Sequence, residues 1–110
     1  MKVVNEIRGF KSPRISAEGI AELKEASRLG RLYSVIATSV AKSGHPGGAL
    51  SSMDIYMTLL GAANVCPQCA DSVDRDRIVV SHGHTSAGFY SALAAYGFFE
   101  PEAMYANFRR

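Results

Sequence analysis

The sequence predicts an α/β fold, and within it the helix-rich opening part of a parallel-sheet domain. Apolar residues recur at helical spacing along most of the 110 residues. Against them stands Ile78-Val79-Val80, one short β-branched run of the kind buried on both faces of a parallel sheet. No second such run accompanies it. Unpaired backbone groups buried between helices are costly, so the sheet is expected to be completed by further chain or by another polypeptide.

Residues 1–15 read as an irregular lead-in, with Ser12-Pro13 marking a break before a second segment over 16–110. From Ser16, a capping residue, a helix is expected to run to about Lys42, with Ile20, Leu23, Leu29, Tyr33, Ile36 and Val40 inward and Gly44 as its stop signal. After the turn Ser43-Gly44-His45-Pro46-Gly47-Gly48, a second helix carries Leu50, Met53, Met57 and Leu60 on one stripe, with Ser51 or Ser52 near its start and Gly61 at its end. Residues 62–76, broken by Pro67 and several aspartates, read as a surface loop. The strand at 78–80 then leads through Ser81-His82-Gly83-His84-Thr85-Ser86 into a third helix bearing Phe89, Leu93 and Tyr96. A fourth starts at Glu100-Pro101 and carries Met104, Tyr105 and Phe108.

Composition narrows the function classes. A hydrophobic share of 47% with 20% charged residues is that of a globular chain. The net charge of +2 with dispersed basic residues gives no nucleic-acid footprint. The charged residues among the first fourteen interrupt any signal-like apolar stretch, and no stretch approaches the ~20 apolar residues of a membrane span. A soluble, cytoplasmic protein is expected, with no membrane and no nucleic acid among its partners.

Two turns carry the chemistry. In the first, Pro46 biases His45 toward an extended backbone, and the flanking glycines let a ligand approach the main chain. An imidazole there can donate, accept or exchange a proton near neutral pH. The second turn follows the strand and opens a helix, the place where open α/β sheets collect ligands and helix N-termini attract phosphate. The alternative is structural: glycines and hydroxyl residues delimit helices, and histidines also occur on ordinary surfaces.

The Ser-Gly-His-Pro-Gly turn, then Arg75-Asp76-Arg77-Ile78-Val79-Val80-Ser81 leading into Gly83-His84, then Tyr90 and Leu93, resemble the N-terminal part of transketolases from about residue 20 onward. The resemblance implies a thiamine diphosphate-binding parallel-sheet domain. It also implies transfer of a two-carbon ketol unit between sugar phosphates, with the cofactor as electron sink. His45 matches the histidine that faces the substrate hydroxyls, a catalytic and substrate-binding role; His84 matches the one at the cofactor's diphosphate. His82 falls at a variable place and receives no role. The family's Gly-Asp-Gly magnesium site and activating glutamate have no counterpart in these 110 positions. Magnesium ligands are therefore expected outside the chain, in a missing C-terminal region or second subunit of a dimeric assembly. The chain alone is expected to be inactive and to fold poorly or only with a partner.

Two alternatives remain at this stage. Gly83-His84-Thr85-Ser86-Ala87-Gly88-Phe89-Tyr90 and Asn107-Phe108-Arg109 also resemble the decarboxylating subunit of pyruvate dehydrogenase, although Pro46-Gly47 favour transketolase. Cys66-Pro67-Gln68-Cys69, followed by His82 and His84, suggests a small zinc-binding or non-catalytic module, but the histidines stand closer than the ~3–5 intervening residues a finger uses. The expected state of the cysteines is a reduced pair on a loop. Asp74 and Asp76 read as a solvated or ion-paired approach to the strand, Glu100 as no acid or base, and Tyr33, Tyr56 and Tyr96 as core residues.

Overall fold

Five α-helices carry the chain in the computed structural model, which describes residues 1–109: α1, Lys2–Ile7; α2, Ala17–Ala41; α3, Pro46–Ala62; α4, Ser86–Ala95; and α5, Pro101–Asn107. Short 3-10 turns at Arg8–Phe10, Pro67–Cys69 and Gly83–Thr85 lie between them. Arg110, the last position of the 16–110 segment, lies outside the described residues. Helices α2, α3 and α4 each pack against the other two, α1 lies beside the start of α2, and α5 closes over α2 and α4.

The helix-rich expectation holds, but the described residues contain no β-strand. Ile78 and Val80 lean on the core while Val79 is 86% exposed, which is a strand's alternation. A ladder, however, needs a second backbone about 5 Å away, and Ile78-Val79-Val80 shares no backbone hydrogen bond with any described segment. The parallel sheet therefore does not form within these residues.

The irregular path expected over 1–15 contains α1. Six residues are too few to show periodicity or to be helical unaided, and tertiary contacts hold this helix. The Glu22 carboxylate accepts from the backbone N–H groups of Lys2 and Val3 at its N-terminus, where negative charge is favoured, and Val3 and Ile7 bury against Leu23 and Ala62. Ser16 caps α2 as expected, its hydroxyl accepting from Gly19 N–H at 3.0 Å while donating to Glu6 at 2.8 Å. The stop of α2 is Lys42 rather than Gly44. Lys42 takes a left-handed backbone (φ 52°), and Ser43 N–H reaches back to Thr38 O at 3.2 Å.

The inward face of α2 also differs from the expected stripe. Leu23 is buried, but Ile20 and Val40 are 44% and 46% exposed, and the face is completed by Ala26, Ser27, Gly30, Ser34 and Ala37. Small residues win because the neighbouring helices come close. A Cβ on Gly30 would stand 2.5 Å from Met53 Sδ and 2.6 Å from Met57 Cε. Across from it Ser34 donates to Ser91 Oγ at 3.0 Å, and Ser91 to Ala87 O at 2.6 Å, so both buried hydroxyls are satisfied.

On α3, Met53, Met57 and Leu60 are buried as expected, Leu50 is half-buried, and Tyr56 joins the core at 4% exposure. The helix starts at Pro46, not near Ser51 or Ser52, because proline is pre-set for a first helical position; Gly61 lies inside it rather than at its end, under the Tyr96 phenol, which donates to Met57 O at 2.6 Å. Burial pushes the Tyr96 hydroxyl up to about 12, so it stays a donor through the neutral range. Helix α4 meets α3 at Gly88, whose Cβ would lie 2.9 Å from Ala49 Cα. Helix α5 opens on Glu100-Pro101 as expected and buries Met104, with Phe108 buried just past its end.

The 62–76 loop is tied at its neck, where Asp76 N–H donates to Asn64 O at 3.0 Å and Asn64 N–H to the Asp76 carboxylate at 2.7 Å. Arg75 donates to Ala70 O at 2.6 Å, so the arginines here brace loop carbonyls rather than pairing with the aspartates. Cys66 and Cys69 form a disulfide, with Cα atoms 5.1 Å apart, in place of the expected reduced pair. The zinc alternative falls with it. Paired sulfurs are not thiolate ligands, and no group of three or more His, Cys, Asp or Glu side chains able to hold a metal occurs among the described residues. No described helix is long and apolar enough to cross a membrane.

Two stability measurements follow. Gly88→Ala should destabilise the chain by about 1–3 kcal/mol in denaturant unfolding, because the clash is with Ala49 backbone. Gly30→Ala should cost less, since methionine tips can swing aside; equal losses would contradict this account. Reducing the disulfide, with a sequence separation of only 3, should cost no more than about 2 kcal/mol, since closing so short a loop removes little entropy from the unfolded chain. Unfolding curves with and without a thiol reductant measure it.

Candidate functional site

The left-handed exit of α2 sets the path to the first turn. Gly44, at φ 125°, lies where a Cβ would strike Thr38 Cγ2 at 2.8 Å, and the next residue is His45. His45 has a non-helical backbone (φ −122°, ψ 85°), as a residue before proline requires, and stands at the N-cap of α3 with Pro46 at its first helical position. Its side chain makes no capping bond, so the ring is free and exposed. The N–H groups of Gly47 and Gly48 belong to a helical first turn that no side chain caps.

The second turn is pinned from below. Thr85 is 1% exposed, and its hydroxyl donates to His82 O at 2.9 Å and lies 2.6 Å from the Tyr56 hydroxyl. Its methyl group abuts the first turn of α3, so that a Cβ on Gly48 would come within 2.8 Å of Thr85 Cγ2 and 3.6 Å of the His84 ring. The missing side chain at Gly48 lets the two turns meet. His45 and His84 end with ring centroids 6.0 Å apart, nearly perpendicular.

Both histidines expected from the sequence are therefore brought together on one surface. The structure adds two residues that sequence reasoning missed. His82 lies 5.6 Å from His84 by ring centroids and stacks at 23° on Tyr56, which reaches up from the core. The visible signal for His82 was the alternation His-Gly-His. Tyr56 offered none beyond its helical spacing, which marks it as core and says nothing of where its hydroxyl points. His82 also lines a cavity of about 260 Å³ with Val80, Gly83, Ser86, Phe89 and Tyr90. Ser86 and Tyr90 continue into a cavity of about 500 Å³ bounded by Phe99, Met104 and Phe108.

Chemically, the corner combines imidazoles that can donate or accept with the uncapped first turn of a 17-residue helix. That donor set suits an anionic group such as a diphosphate, and the space left by the absent Gly48 Cβ allows it close to the main chain. Substituting Gly48→Ala should push the turns apart. The expected result is loss of the His45–His84 ring contact in NMR, with helix content by circular dichroism retained; an unchanged contact would refute the assignment to Gly48.

Comparison with known proteins agrees with this chemistry. The family described as "Transketolase, thiamine diphosphate binding domain" matches residues 23–109. The chain is 39% identical over 88 residues to Transketolase 1 of Escherichia coli (strain K12), covering 79% of this chain and 13% of that protein. It is 37% identical over 68 residues to a transketolase of Scheffersomyces stipitis, covering 62% of this chain and 10% of that protein. A protein named Ferredoxin fas2 from Rhodococcoides fascians is 39% identical over 61 residues, 54% of this chain and 20% of its own length. The chain thus spans only a small fraction of the relatives it matches. No solved structure matches it.

Proposed function

The chain belongs to the transketolase family through its thiamine diphosphate-binding domain, and on that premise we propose that it is part of an enzyme transferring a two-carbon ketol unit between sugar phosphates. The observation that carries the reading is the convergence of His45 and His84 at 6.0 Å from two separate turns. His45, exposed on the N-cap of α3, holds sugar hydroxyls and exchanges protons with them. His84, together with the open first turn of α3, hydrogen-bonds the cofactor's diphosphate. Thiamine diphosphate, when bound, supplies the electron sink for carbon–carbon bond cleavage.

The described residues hold no cluster of carboxylates suited to a divalent cation. In this reading magnesium is held, and the cofactor ring activated, by a C-terminal region or a second subunit. The working unit is a dimeric, cytoplasmic assembly, and the chain by itself does not turn over substrate.

In the complete enzyme, His45→Ala should lower kcat by about 10²–10⁴-fold, the usual worth of a positioned acid–base group, with cofactor affinity little changed. His84→Ala should weaken thiamine diphosphate binding by about 10–100-fold, the worth of one hydrogen bond to a charged group. Steady-state kinetics and cofactor titration separate the two effects, and the reverse pattern would overturn the division of roles. Turnover of pyruvate but of no ketose phosphate would replace this function with 2-oxo acid decarboxylation.

A further inference from the structure

A chain of hydroxyl groups beneath the second turn decides the protonation of a ring. The Thr85 hydroxyl has one proton and two neighbours, the His82 carbonyl at 2.9 Å, which can only accept, and the Tyr56 hydroxyl, which can also donate; giving the proton to the carbonyl is the arrangement that makes the most hydrogen bonds. The Tyr56 hydroxyl, 2.6 Å from Thr85 Oγ1, is then the donor in that contact. Its single proton is used, and the phenol oxygen faces His82 Nε2 at 3.4 Å as an acceptor. A bare Nε2 would set two lone pairs against each other; a protonated one completes the network.

We infer that the Tyr56–Thr85 pair holds neutral His82 as its Nε2–H tautomer, and that His82 is a third ligand-binding ring whose Nδ1 accepts a substrate hydroxyl. Nδ1 has no hydrogen-bond partner among the described residues, the ring is exposed, and it borders both His84 and the cavity of about 260 Å³ at Ser86 and Tyr90. Stacking on Tyr56 fixes the ring plane, and the buried Thr85 fixes Tyr56. The acceptor is therefore presented without an ordering cost at binding. Among the described residues His45 and His84 have no comparable side-chain bond that selects a tautomer, so His82 is the ring with a defined polarity. The hydroxyl-bearing ligand rests on the sugar phosphate reading above; the tautomer rests on the hydrogen bonds alone.

Long-range proton–nitrogen NMR on the ¹⁵N-labelled chain reads the tautomer without any substrate. His82 should be Nε2–H, and Thr85→Val, which frees the phenol proton to point at His82, should convert it to Nδ1–H, whereas Thr85→Ser should not. Wild-type Nδ1–H, or no conversion in a folded Thr85→Val chain, would overturn the inference. Should Thr85→Val fail to fold, Tyr56→Phe takes its place, and His82 should then populate both tautomers; an unchanged ring would again overturn it. In the complete enzyme, His82→Phe should raise KM for a ketose phosphate about tenfold and more than it lowers kcat, and His82→Asn, which keeps an acceptor near the place of Nδ1, should recover most of the loss. An unchanged KM in His82→Phe would remove the acceptor role and leave the proposed function standing. Absence of ketose phosphate turnover in the unmutated enzyme would remove the function and leave the tautomer standing.

Discussion

Between Ala49 on α3 and Gly88 on α4 there is no room for one more carbon: a Cβ on Gly88 would stand 2.9 Å from Ala49 Cα and 3.0 Å from its carbonyl oxygen. This contact lies near the start of each helix, so closing it also brings the two N-terminal turns together. Gly48 repeats the arrangement one residue earlier against Thr85. The same economy of side chains runs through α2, where Gly30 receives Met53 and Met57 and Ser34 meets Ser91. Dense packing makes each of these positions sensitive to a single methyl group. It also makes the geometry of the histidine turns a property of the core.

The site is built in two layers with different duties. Thr85 and Tyr56 are buried and exchange hydrogen bonds within the protein, while His45, His82 and His84 are exposed. Rigid buried groups fix ring positions before any ligand arrives, which is how a small number of surface side chains can bind selectively. A hydroxyl network of this kind is directional as well, because each hydroxyl has one proton to give. Direction, passed from Thr85 to Tyr56 to His82, is what an apolar core of the same shape would lack.

Segment 62–80 has a different character. Its loop is closed by the Asn64–Asp76 neck, by arginine bonds to carbonyls and by the Cys66–Cys69 disulfide, so it is ordered without belonging to a helix layer. The run that follows alternates like a strand yet has no ladder partner among the described residues.

The sequence by itself determined the helices at 17–41, 86–95 and 101–107 to within a few residues and the existence and end of the one at 46–62, whose start it placed too late, because capping residues, prolines and helical periodicity act locally. It also singled out His45, since glycine and proline around a titratable ring leave a local trace, while His84 was singled out through the resemblance to transketolases. Only the tertiary structure decided which face of α2 turns inward, because the closeness of α3 and α4 favours Ala26, Gly30 and Ser34 over the larger Ile20 and Val40. It alone revealed α1, stabilised from a distance by Glu22, and it alone joined the two cysteines and left Ile78-Val79-Val80 unpaired. The place of His82 likewise depends on Tyr56 and Thr85, which lie on different segments. Contacts between distant residues have no local pattern to read, and the polarity of this site is made of such contacts.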